Sequence, residues 1–122
     1  MLNAKGDKVY DLEERTGKFG EDIIEFAKKI PRNVITVPLI GQLIRAGTSV
    51  GSNYCEADCA ESRKDFEHKL GISKKEAKES KHWLRMIARA NLDKRDECKL
   101  LWKEVNELTM IFSKITTSLR AK

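Results

Sequence analysis

Cys98, Leu101, Val105, Leu108, Phe112, Ile115 and Leu119 follow one another at alternating steps of three and four residues, and no other feature constrains this chain so tightly. Such spacing draws a single line along an α-helix and fits no strand, whose side chains alternate with a period of two. Trp102, Thr109 and Ile111 widen the line into a stripe suited to a bundle core. A helix so marked needs partners to cover it.

The rest of the chain supplies them. A first helix is expected over about 16–30, where Phe19, Ile23, Phe26, Ala27 and Ile30 recur at helical spacing and Pro31 ends the run. Before it, "VYDLEER" reads as an arm or an extra helical turn. "PRNVITVP" is too apolar for a free loop, so Val34, Ile35 and Val37 are expected to tuck against the bundle or a neighbouring subunit. A second helix, about 38–58, starts near Pro38 and carries Leu39, Leu43, Ala46, Val50, Tyr54 and Ala57 on one face. The third, about 62–90, opens on Ser62 with Asp65 three residues on. Its apolar positions keep phase through Gly71, which favours one helix over two. The seam helix, about 93–120, is expected to open at Asp93. Short connections make the last three helices antiparallel neighbours, so the predicted fold is all-α: one domain, residues 1–122, forming an antiparallel up-and-down four-helix bundle.

"RAGTSVGSNYCEA" is the exception inside the second helix. Each interior Gly costs about 1 kcal/mol against Ala, so Gly47 and Gly51 call for a compensating gain. Gly47, Gly51 and Cys55 lie four apart and make a row along which another helix can approach closely. Beside it, Arg45, Ser49 and Asn53 face Glu76 and Glu79 of the third helix at matching spacing. These five are the candidate members of a buried polar network, with Arg45 pairing to Glu76 or Glu79 to set register.

Composition narrows the functional classes. The net charge of +5 is uneven: residues 1–60 hold 8 Lys and Arg against 9 Asp and Glu, and residues 61–122 hold 16 against 10. No apolar run nears the ~20 residues of a membrane span, and the N-terminal stretch lacks a signal peptide's apolar block, which predicts a cytoplasmic protein with no membrane partner. Three cysteines in such a chain indicate no disulfide framework. Cys55 and Cys59 with His68 or His82 are a poor zinc set, having neither a CxxC pair nor closely spaced histidines, so no metal or cofactor is expected. No phosphate-cradling glycine loop and no nucleophile beside a base is apparent, and no small-molecule substrate suggests itself.

"QLIRAGTSVGSNYCEA" and "DFEHKLGISKKEAKESKHWLRMI" resemble the 23S ribosomal RNA intervening-sequence family, four-helix-bundle proteins encoded in insertions within bacterial 23S ribosomal RNA genes. The resemblance runs from about Asp11 to the C-terminus. It is most specific at Arg45, Ser49, Gly51, Asn53, Glu56 and Ala57, and again at Lys75, Glu76, Ala77, Glu79, Trp83 and Leu84. It implies a four-helix bundle assembled as a homopentameric ring or barrel, and no particular activity. A similar protein is the accessory subunit of diversity-generating retroelements, a basic pentamer that binds nucleic acid and a reverse transcriptase. This chain differs in Cys55 and Cys59 and in a less basic surface. A ring interface would use the apolar surface of "PRNVITVP", Tyr54 and Trp83.

The function expected is therefore that of a non-enzymatic oligomeric scaffold. Lys74, Lys78, Lys81, Arg85 and Arg89, at helical steps with Lys75 beside them, form the face for non-specific RNA or DNA, or for a nucleic-acid enzyme. Glu76 and Glu79 interrupt that run, and no aromatic platform accompanies it in the sequence. Two alternatives stand beside it. One is a structural or regulatory protein-interaction module without nucleic acid. The other is a metal-independent ribonuclease using Arg63 and His68 of "RKDFEH", with His68 in acid–base chemistry and Arg63 on phosphate.

Overall fold

The computed structural model describes residues 11–121, which form four α-helices in an up-and-down bundle: α1 (Leu12–Lys28), α2 (Thr36–Asp58), α3 (Arg63–Ala90) and α4 (Arg95–Arg120). Each helix packs on its neighbours in sequence, and α1 closes the ring against α4. Phe19, Ile23, Leu43, Val50, Leu70, Leu84, Ile87, Val105, Leu108 and Phe112 are fully buried between them.

α1 begins four residues before the expected start. Asp11 accepts a hydrogen bond from the Glu14 N–H (3.2 Å), and Leu12 and Thr16 are buried, so the amphipathic face reaches further back than the hydrophobic pattern alone suggests. Thr16 escapes that pattern because it is polar, yet its hydroxyl donates to the Leu12 carbonyl and the residue is buried. Val9 and Tyr10 of the proposed arm lie outside the described residues; Asp11 to Arg15 make the cap and first turn.

The α1–α2 connection departs from expectation. Asn33 accepts from the N–H groups of Ile35 and Thr36 (2.9 Å each), while Thr36 Oγ1 accepts from the Asn33 N–H (3.0 Å) and donates to the Pro31 carbonyl (2.7 Å). Thr36 is buried by closing this turn, and its apolar neighbours are thereby turned outward: Val34, Ile35 and Val37 are 90%, 62% and 54% exposed and do not tuck against their own bundle. Pro38 is the third residue of α2 and not its first, still within the turn that needs no proline N–H.

Gly47 and Gly51 mark the closest approach of α1 and α2. A Cβ on Gly47 would lie 2.9 Å from Ile23 Cγ1, and one on Gly51 would lie 3.3 Å from the Thr16 backbone. The glycines are compensated by direct helix contact. Cys55, the third member of the row, is exposed.

α3 runs unbroken through Gly71, capped by Ser62, which accepts from the Asp65 N–H (3.0 Å). Gly71 is exposed with open space where a Cβ would stand. Gly71→Ala is therefore expected to stabilise the protein by about 1 kcal/mol in urea unfolding, because it raises helix propensity and meets nothing.

α4 starts later than expected. Leu92–Lys94 form a 3-10 turn held by the Lys94 N–H on the Asn91 carbonyl (2.9 Å), and no side chain caps the helix. Asp93 sits inside that turn, too early to serve as the cap. Along the seam, Cys98, Val105, Leu108 and Phe112 are buried, with Leu101 and Ile115 packed against the core. Tyr54 stacks on Phe112 (centroids 6.3 Å apart), and Trp83 also packs on the core, so both aromatics are half-buried within the chain.

Candidate nucleic-acid interface

The two sides of α3 differ in chemistry. Toward α2, Arg45 Nη1 donates to Glu76 (3.0 Å) and Nη2 to Glu79 (3.3 Å). The five residues expected as one buried network separate into two groups. Ser49 donates to the Arg45 carbonyl and Asn53 to the Ser49 carbonyl (2.9 Å), both within α2, because short polar side chains reach their own preceding turn first. The inter-helix part sits at the rim, where the Arg45 side chain is 48% exposed and that of Glu76 only 11%. The buried polar contact between these helices is a different one: Ser73 donates to the Val50 carbonyl (2.6 Å). Its only trace in the sequence is a serine at an apolar position.

Glu76 is held above the usual carboxylate range, chiefly by burial and then by the neighbouring Glu79, with Arg45 opposing. A carboxyl whose folded pKa is raised favours the folded state below the unfolded value of 4.5, and that contribution is lost as pH rises through the folded value. Glu76→Gln, which keeps the shape without the charge, is expected to gain stability relative to the parent as pH climbs from about 4 to about 7. Parallel urea midpoints for the two proteins across that range would refute this.

Toward α4, α3 is cationic. Lys78, Arg85 and Arg89 are exposed, Lys74 is half-buried, and none of the four pairs with a carboxylate among the described residues. Glu76 and Glu79, which break the run in sequence, lie on the α2 side and are engaged by Arg45. Lys81 differs from its neighbours: its ammonium donates to Asn106 Oδ1 of α4 (3.0 Å) and sits 5.2 Å from the centre of the Trp102 ring. It holds two helices together.

Sequence reasoning missed what α4 adds here. Arg95, Lys99 and Trp102 gather around Arg85 at the α3–α4 groove. Their spacing along α4 was visible, but their approach to Arg85 depends on packing. Also missed is the α1–α4 clamp, in which Arg15 forms a fork on Glu104 (2.9 and 2.8 Å) and reaches Glu107 (3.0 Å), pairings that raise the Arg15 pKa further.

Arg63 and His68, the nuclease pair, do not come together. Five positions apart on one helix they diverge by about 140°. His68 faces a shallow depression with Ser62, Lys64 and Asp65, and Arg63 does not line it. Cys55 and Cys59 are exposed, and among the described residues no three His, Cys, Asp or Glu side chains are grouped so as to hold a metal ion. No described helix is long and apolar enough to cross a membrane.

Fold and surface together define a small four-helix-bundle protein with an acidic rim and a cationic groove on opposite sides of its third helix. The chain belongs to the 23S rRNA-intervening sequence protein family, whose model matches residues 10–114. Among solved structures it is similar to a protein of unknown function from the S23 ribosomal protein family of Bacteroides thetaiotaomicron VPI-5482. That protein is 28% identical with a TM-score of 0.77, over 86% of this chain and 97% of that one. Comparison with curated proteins gives no match.

Proposed function

We propose that this protein is a non-enzymatic, self-associating scaffold whose cationic α3 face binds RNA or DNA without sequence preference. The observation that carries the reading is the row of cations Lys74, Lys78, Arg85 and Arg89, which pair with no carboxylate among the described residues and are joined by Arg95 and Lys99 from α4. Phosphate contacts of this kind are individually weak and salt-sensitive, and assembly into a ring multiplies them. Self-association draws on Val34, Ile35, Val37 and Leu92, all exposed at the end of the bundle where the α1–α2 and α3–α4 connections meet. A homopentamer, cytoplasmic and free of metal or cofactor, is the assembly proposed.

Size-exclusion chromatography with light scattering, repeated with a generic RNA and again in high salt, tests it. An oligomer that shifts with intact RNA and is released by salt supports the scaffold. A monomer indifferent to RNA overturns it, and RNA cleaved by the pure protein overturns the non-enzymatic part alone.

A further inference from the structure

The groove between α3 and α4 combines two properties. Its apolar lining, made by Leu84, Ala88, Cys98 and Trp102, carries almost no polar surface. Burial pushes the Cys98 thiol up to about 11, so it stays uncharged at neutral pH and acts as one more apolar group. The rim carries Arg85, Arg95 and Lys99 and no carboxylate. The volume is about 210 Å³. An apolar cavity of about 150 Å³ takes a benzene-sized ring, so there is room here for one ring system.

Trp102 is fixed for this role. It is 40% exposed, and the Lys81 ammonium sits 5.2 Å from its ring centre while itself bonded to Asn106. Trp102 lines the groove together with Lys99, one turn earlier on α4.

We infer that the groove seats a single unstacked base of a single-stranded nucleic acid against Trp102, with the flanking phosphates on Arg85, Arg95 and Lys99. This rests on the nucleic-acid reading above and deepens it from nucleic acid in general to single strands. Charge complementarity and continuity favour this occupant: Lys78 and Arg89 carry the cationic line past the groove along α3 in both directions, as a phosphate backbone requires. An acidic peptide fits less well. Laid along an apolar floor, its backbone N–H and C=O groups would lose water and find no partners, whereas a base turns a π face inward and keeps its polar edge in solvent. A duplex keeps its bases stacked and would meet only the rim.

The test uses the full chain with two labelled probes, a short oligo(U) RNA and an RNA duplex of equal length, at low salt. The strand is expected to bind more tightly than the duplex. Trp102→Ala should weaken strand binding about tenfold and leave duplex binding and the salt slope unchanged, and Trp102→Phe should restore most of the loss. Urea midpoints for each variant separate misfolding from loss of stacking. Trp102→Ala affecting strand and duplex equally, or neither, overturns the inference while leaving the cationic face in place. Wild type binding neither probe removes the cationic-face reading and this one with it. Trp102-dependent capture of an acidic aromatic peptide with no strand binding assigns the groove to a protein partner and overturns it too.

Discussion

Gly47→Leu is expected to lower unfolding stability by about 3 kcal/mol, seen as a fall in melting temperature of about 10 °C with the urea m-value unchanged. Even a single added carbon would meet Ile23 at Cγ1, Cγ2 and Cβ within 2.9–3.3 Å. A β-branched side chain has little rotamer freedom with which to yield. Gly41→Leu is the matching control: it lies on the same helix, its Cβ meets nothing, and it should leave stability unchanged or raise it slightly. Equal effects at the two sites would show that the close approach of α1 and α2 does not depend on the missing side chain at Gly47.

The second large effect concerns binding. Reversing Lys78, Arg85 and Arg89 together to Glu should weaken RNA binding about a hundredfold at low salt and flatten the salt dependence by about three contacts. All three side chains are exposed and pair with no carboxylate among the described residues, so stability should hardly move. Lys81→Glu should behave differently. It would break the bond to Asn106 and the contact with Trp102, so a loss of stability should accompany the loss of binding. Unchanged affinity in the triple variant would remove the cationic face from the proposed function.

The helices were legible because their cores repeat at three and four residues, a signal that survives without any knowledge of neighbours. Their ends were less so. Thr16 is polar in type but buried in fact, which hid the first turn of α1, and Leu92–Lys94 form a 3-10 turn whose residues look equally suited to starting α4. The pairing of Arg45 with Glu76 and Glu79 could be proposed from spacing because adjacent antiparallel helices align their faces. The inward-facing roles given to Ser49 and Asn53 could not be decided that way, since each had a carbonyl of its own helix within reach. The aromatic element of the candidate interface escaped notice for another reason. The spacing along α4 assigns Trp102 to the core stripe, whereas it is 40% exposed, and only packing places it beside Arg85.

The order in which the helices touch bears on how the chain reaches this structure. α1 meets α2, α2 meets α3 and α3 meets α4, each through a short connection, so most contacts form between segments close in sequence. Chains of such low contact order fold in microseconds to milliseconds. The exception is the α1–α4 seam, where Arg15 must find Glu104 across almost the whole chain. That seam closes at the highest loop-entropy cost and is the natural place for the bundle to open first. Amide hydrogen exchange should show the shortest protection along the outer turns of α1, while the α2–α3 pair keeps the longest.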